Sequence, residues 1–296
     1  LIMIEKDRCM RSKLFVPASR PALFTKALAS AADAISFDLE DAVEENSKPA
    51  ARAALQTLFK DDLSAHHKLI VVRINAIDTP HCLVDLDAVV CSATHTVNIP
   101  MVEDPDTIRA IAVELERLER ARGLTRPIGI LVNIESPKGL RRAAELACAH
   151  PRVVGLQIGF GDLLAPLGIV SCEPAALQAV RVAVRFAAGE AGIHAYDGAF
   201  VDIANPEVFK LDAQAAQRLG FSGKSCIHPT QIALANEVFR PSDAAIAHAV
   251  RVLEATRQKL AEGVGAFVVD GRLIDGPFIT EAEHTVALAR RLGLLT

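Results

Sequence analysis

At 296 residues with a hydrophobic fraction of 51%, the chain is long enough for one large α/β domain or two modest ones and apolar enough to fill a sizeable core. A net charge of -4, no tryptophan and one tyrosine exclude the basic, aromatic-rich face that nucleic-acid binding usually needs. The six cysteines (Cys9, Cys82, Cys91, Cys148, Cys172, Cys226) lack C-x-x-C spacing and read as free thiols of a reducing cytosol, not a disulfide frame or zinc site. No apolar run approaches the roughly 18 residues of a membrane span, and the opening LIMIEKDRCM is too short and charged for a secretory core, so a soluble, cytoplasmic protein is expected.

The first apolar run, KLFVP (13–17), leads into a stretch carrying Arg20 and Lys26. AISFDL (34–39) runs straight into three acids, Asp38, Glu40 and Asp41. SKPAARAALQTLF then reads as a helix with Ser47 as its N-cap and Pro49 in its first turn. KLIVVRIN (68–75) and TVNIPMV (96–102) are the next strands, and EDPDTIRAIAVELERLERAR after them repeats apolar residues at three and four spacing. IGILVNIES (128–136), VVGLQIG (153–159), HAYDGAF (194–200) and SGKSCIH (222–228) complete eight strand signals, each followed by a helical pattern. Eight βα repeats predict a TIM (β/α)8 barrel over residues 1–241. No G-x-G-x-x-G follows the first strand, and GFGD lacks that spacing, so a dinucleotide-binding sheet has little support. Residues 242–296 form a C-terminal helical and hairpin extension: a helix over about 242–262, then VDGRLIDGP as an exposed hairpin or flap, then a last amphipathic helix. That extension is expected to cover a site or reach a neighbouring subunit.

Strand side chains alternate between the barrel interior and its helix-facing side, and chemistry gathers at the C-terminal strand ends. In the second strand Ser36, Asp38 and Glu40 oppose Phe37 and Leu39. In the third, Val71, Arg73 and Asn75 oppose Ile70, Val72 and Ile74; in the fifth, Leu131, Asn133 and Glu135 oppose Val132 and Ile134. The sixth adds Asp162 in GFGD, where glycines let backbone approach a ligand. Glu135 and Asp162 therefore form a pair of carboxylate ligands suited to Mg2+, with Arg73 beside them to hold a substrate carboxylate bidentately. Asp38 and Glu40 face the same mouth and support the substrate site, holding metal-bound waters or Arg73. Asp41 sits at the turn, free to cap or to pair with Lys48 or Arg52.

Each of these has a plainer alternative. Glu135 precedes SPKGL and suits a helix cap. His228 and Asp197 suit hydrogen-bonded turn positions, and Arg20 and Lys26 suit a solvated helix face or phosphate contacts.

Taken together, RSKLFVPASRPALFTKAL, DAISFDLEDAV, VVRINAIDT, GILVNIESPKGL, GLQIGFGDLLAPLG, AQRLGFSGKSCIHPTQI and DGRLIDGPFI resemble the citrate lyase beta-subunit-like family, related to the malyl-CoA and citramalyl-CoA lyases, in order over about residues 11–293. The resemblance implies a barrel with a C-terminal extension, a homotrimer or a multiple of one, and Mg2+-dependent C–C cleavage of a 3-hydroxyacyl-CoA thioester to acetyl-CoA and a 2-oxo acid. It implies that Glu135 and Asp162 bind the metal and Arg73 the keto-acid part. It further implies that Asp275 acts as acid-base group in an adjacent subunit's site, and that Arg20 and Lys26 contact CoA phosphates. Related activities are a class II-type aldolase on free keto acids, a malyl-CoA thioesterase, and a citryl-acyl-carrier-protein lyase subunit that depends on a protein partner. Two positions depart from the pattern: Met101, where relatives often carry lysine, and Ala18, where many carry glycine.

Overall fold

The computed structural model describes residues 9–295; the opening run LIMIEKDR, read above as no secretory segment, lies outside them. The aliphatic runs form eight parallel strands: β1 (Ser12–Pro17), β2 (Ala34–Asp38), β3 (Leu69–Arg73), β4 (Thr96–Ile99), β5 (Gly129–Ile134), β6 (Val153–Ile158), β7 (His194–Asp197) and β8 (Gly223–Cys226). Each pairs with the next, and β8 returns to β1 through Ser12↔Lys224, Lys13↔Ser225 and Leu14↔Cys226, closing a (β/α)8 barrel. The helix-facing positions Ile35, Phe37, Ile70, Val72, Val97, Ile99, Ile130, Val132 and Ile134 are all buried, which accounts for the unbroken apolar face of these strands. Inside, Met10, Ala34, Val71, Leu131 and Tyr196 pack into an apolar floor.

The strands stop earlier than expected at several ends. β4 ends at Ile99, and two residues on Met101 takes the left-handed conformation (φ 50°), outside the extended region of a regular strand. β7 ends at Asp197, whose buried side chain is drawn to the helix side. There Arg181 of helix Pro174–Glu190 donates to both Asp197 oxygens at 2.9 Å, and Lys224 of β8 donates to Asp197 Oδ2 at 2.5 Å and to the Gly198 carbonyl at 2.8 Å. Asp212 of helix Pro206–Arg218 completes the cluster, 2.6 Å from Arg181 and 2.7 Å from Lys224. Ser47 does not cap helix Lys48–Leu58: it closes a 3-10 turn, Glu45–Ser47, in helical geometry, so its hydroxyl makes no capping bond.

The chain divides into two compact units at Glu237/Val238, a few residues before the expected 241/242 boundary. In the second unit, Ser242 caps helix Asp243–Ala261 by accepting from Ala245 N at 3.1 Å. The antiparallel hairpin β9 (Phe267–Val269) and β10 (Arg272–Ile274) follows. Its turn residues Asp270 and Gly271 both have positive φ, the geometry that an Asp-Gly pair supplies at a two-residue hairpin turn. Phe267 and Ile274 point into a core with Val252, Ala282 and Val286, while Val268 and Leu273 are exposed, as strand alternation requires. The last helix is Gly276–Arg291. Among the described residues no disulfide joins any of the six cysteines, and no helix is long and apolar enough to cross a membrane.

Candidate active site at the C-terminal strand ends

Arg73 ends β3 in register with Asp38, the last residue of β2, so the guanidinium and carboxylate emerge side by side. Arg73 Nε donates to Asp38 Oδ1 at 2.7 Å and Nη2 to Oδ2 at 2.6 Å, a bidentate pair. Arg73 Nη1 donates to Asp41 Oδ2 at 3.0 Å and lies 2.8 Å from Glu40 Oε2, an ion pair without hydrogen-bond alignment. Burial opposes the Arg73 charge, and the carboxylates around it more than offset that, raising its pKa above the ordinary value. Asp38 also accepts the backbone N–H groups of Glu40 (3.0 Å) and Ala42 (3.1 Å), tying the loop to the strand end. Asp38 and Glu40 thus both lie against Arg73 at the strand ends. Asp38 takes one edge of the guanidinium, and Asp41 and Glu40 crowd Nη1 on the other side.

Asp41 pairs with Arg73, not with Lys48 or Arg52. The buried Lys48 amine donates to the carbonyls of Leu39 (3.0 Å) and Glu40 (3.1 Å) and to Asn75 Oδ1 (2.7 Å); Arg52 donates to Asp85 at 2.8 Å. Lys48 satisfies loop carbonyls that would otherwise be buried unpaired, which holds Glu40 at the mouth. Burial pushes the Glu40 carboxyl up to about 8, against the pull of Arg73.

Glu135 follows β5, with its residue only 3% exposed. Its Oε1 accepts from Met101 N at 2.6 Å and its Oε2 from Asn133 Nδ2 at 3.1 Å. Burial raises the Glu135 pKa; the Met101 N–H and Arg73 oppose that, and the charge of nearby Asp162 adds to it. The helix after it is capped by Ser136, which accepts from Gly139 N at 3.0 Å, so Glu135 is not the cap. A Cβ on Gly159 would lie 2.3 Å from Glu135 Oε2, so the glycine opens the space the carboxylate fills. Asp162, in the short helix Phe160–Leu164, is exposed beside it. Among the described residues neither Glu135 nor Asp162 has an ion pair with a basic side chain.

Met101 was legible only as a departure. Its left-handed backbone aims the N–H at Glu135, while the residue is 47% exposed. Ala18 is fully buried and its N–H donates to the Asp38 carbonyl at 2.9 Å, extending the β1–β2 ladder toward the mouth. Arg20 precedes the 3-10 turn Pro21–Leu23 and Lys26 lies in helix Phe24–Leu28; both are exposed, and no described hydrogen bond joins either to the Arg73 cluster. His228 Nδ1 bonds within its own turn to Thr230, 2.8 Å from Oγ1. Asp275 belongs to the second unit, ahead of helix Gly276–Arg291; it makes no side-chain cap, and its Oδ1 is buried without a hydrogen-bond partner.

The mouth therefore gathers Asp38, Glu40, Arg73, Glu135 and Asp162, a strongly polar set dominated by carboxylates at the catalytic end of a parallel barrel. Residues 11–229 match the HpcH/HpaI aldolase/citrate lyase family, and the chain belongs to that family. Over 96% of its length it is 36% identical to the L-malyl-CoA/beta-methylmalyl-CoA lyase of Cereibacter sphaeroides, covering 95% of that protein. It is 35% identical to the citrate lyase subunit beta of Escherichia coli K12, covering 98% of this chain and 96% of that one. Among solved structures it resembles the protein CitE of Mycobacterium tuberculosis, crystallised with magnesium, acetoacetate and coenzyme A: TM-score 0.73, 36% identity, 97% of this chain and 99% of that one.

Proposed function

We propose that the chain is a Mg2+-dependent carbon–carbon lyase that cleaves a 3-hydroxyacyl-CoA thioester of the malyl, citramalyl or citryl type to acetyl-CoA and a 2-oxo acid. The observation that carries this reading is the pair of carboxylates, Glu135 and Asp162, at the mouth beside Arg73 and without a basic partner of their own. Two such oxygens fit a hard divalent cation that completes its shell with water and substrate oxygens. The names of the relatives support it: a malyl-CoA lyase, a citrate lyase subunit, and a neighbour crystallised with magnesium and coenzyme A.

Mg2+, when bound there, supplies Lewis-acid polarisation of the substrate's carboxylate and hydroxyl. Arg73, locked by Asp38, places positive charge where the hydroxyl oxygen becomes a carbonyl, with no reorganisation during reaction. Glu40 closes the other side of Arg73. Asp275 serves as the acid that protonates the departing acetyl-CoA enolate, the substrate hydroxyl releasing its own proton to solvent as it becomes a carbonyl, and acts in an adjacent subunit of a cytoplasmic homotrimer or a multiple of one. Arg20 and Lys26 contact the CoA phosphates. Residues 242–296 act as the extension that completes the neighbouring site.

The test is a product assay against malyl-, citramalyl- and citryl-CoA with and without Mg2+, measuring acetyl-CoA, 2-oxo acid and free CoA separately. Mg2+-dependent acetyl-CoA is expected. Free CoA with the intact hydroxy acid would replace the lyase by a thioesterase. Asp275→Asn should keep Mg2+ and oxo-acid binding and lose turnover; near-normal turnover would remove Asp275 from the mechanism.

A further inference from the structure

Small barrels are normally filled with Val, Ile and Leu. Here the interior above the apolar floor is polar: Lys13, Ser36, Asn98, Asn133, Gln157 and Ser225 all point inward and all are buried. Lys13 is the unexpected member, a lysine 1% exposed inside a barrel. Its Nζ lies 4.3 Å from the centroid of the Phe15 ring, and the Arg73 guanidinium carbon is 5.2 Å from the same centroid. The ring's electron-rich face lessens the cost of holding two cations so near each other. Burial and the Arg73 charge nonetheless push the Lys13 pKa well down.

Lys13 joins a continuous chain of hydrogen bonds with a single sense. Its Nζ donates to Asn98 Oδ1 at 3.4 Å; Asn98 Nδ2 donates to Asn133 Oδ1 at 2.7 Å; Asn133 Nδ2 donates to Glu135 Oε2 at 3.1 Å. Two side bonds enforce the same sense, from Asn98 Nδ2 to the Leu131 carbonyl at 3.1 Å and from Gln157 Nε2 to Asn133 Oδ1 at 3.1 Å. A lysine amine in this position offers hydrogens to Asn98, and a carboxylate only accepts them, so the chain begins and ends on groups of opposite kind. An apolar residue at position 13 would leave Asn98 Oδ1 buried and unpaired. Asn98 could not turn over to relieve this, because its amide nitrogen is committed twice, so it would have to move, and Asn133 with it.

We propose that Lys13 is a positioning residue for Glu135: from inside the barrel it sets, through Asn98 and Asn133, the direction in which the Glu135 carboxylate presents itself to Mg2+. The inference rests on the assignment of Glu135 as a metal ligand.

The experiment is calorimetric titration with Mg2+ alone of the full chain and of Glu135→Gln, Lys13→Met and Lys13→Gln, with thermal unfolding of each recorded alongside. Removing a group that orients a metal ligand typically costs 10–100-fold in metal affinity, so Lys13→Met should weaken Mg2+ binding about tenfold. Lys13→Gln keeps a donor for Asn98 and should recover most of that loss, which a merely space-filling role would not produce. Wild-type affinity in a folded Lys13→Met, with binding lost in Glu135→Gln, overturns the proposal and leaves the metal assignment standing. Wild-type affinity in Glu135→Gln overturns the metal assignment itself. If Lys13→Met does not fold, Asn98→Ser breaks the same chain one link higher: weakened Mg2+ binding supports the proposal and unchanged binding overturns it.

Discussion

Gly159 separates the two acids of the site, and replacing it with alanine perturbs one of them without touching its chemistry. The added Cβ would lie 2.3 Å from Glu135 Oε2 and 2.6 Å from Glu135 Cβ. The carboxylate could swing from the first contact, but the second involves an atom fixed to the backbone. Either the β5 or the β6 strand end must shift, and Gly159 N is itself bonded to the Ile134 carbonyl at 3.0 Å. A displaced Glu135 gives up its bonds from Met101 N (2.6 Å) and Asn133 Nδ2 (3.1 Å). A hydrogen bond to a charged acceptor contributes about 1.5–3 kcal/mol, and solvent at the mouth returns part of the two, so a loss of about 3 kcal/mol is expected. Urea unfolding of Gly159→Ala in chelator, followed by far-ultraviolet circular dichroism because the chain has no tryptophan, measures this; Mg2+ calorimetry measures the effect on the site. Unchanged unfolding together with unchanged Mg2+ affinity would refute the claim that Gly159 makes room for Glu135.

Asp197→Ala should destabilise the barrel by roughly 3–5 kcal/mol, since it leaves buried Lys224 and Arg181 short of an anion; a loss below about 1 kcal/mol in urea would show the cluster is dispensable. Glu40 makes the metal-free protein's stability depend on pH. Its folded carboxyl titrates near 8 against 4.5 for the free group, so its stabilisation is complete below about 4.5 and lost as pH rises through 8. Glu40→Gln removes that dependence, and the stability of wild type relative to the variant should fall between these limits; parallel pH curves would contradict the burial argument.

The barrel was legible because the strands carry an uninterrupted apolar face, and Ile35, Phe37, Ile70, Val72, Val132 and Ile134 do pack outward against the helices. The opposite parity carries Asp38, Arg73 and Glu135, of which Asp38 and Arg73 are in register and Glu135 accepts from Asn133 on the same strand. What alternation could not give was depth along the barrel. Asp38 and Arg73 are in register and bond directly, while Lys13 and Asn98 meet across the interior, and only strand register and stagger distinguish the two situations. Lys13 did leave a sign, a charge at the start of KLFVP on the parity of Phe15, but a lysine opening a strand ordinarily reads as solvated. Ser47 failed as a cap because the preceding residues continue the helical turn, so its hydroxyl has no free N–H to receive. The left-handed Met101 leaves no trace in composition at all, since methionine has no preference for that conformation.

The cluster of Arg181, Asp197, Asp212 and Lys224 also limits how this sequence can change. β7 and β8 meet over only two registered pairs, Tyr196↔Gly223 and Asp197↔Lys224, so charge supplements a short ladder at that seam. Two cations and two anions cancel there, and any single replacement by an apolar residue exposes the others to a low-dielectric interior. A path to an apolar seam of equal stability must therefore change members in opposite-charge pairs, with each intermediate less stable than either end. The last two strands of the barrel are thus tied together as a unit of inheritance as well as a unit of structure.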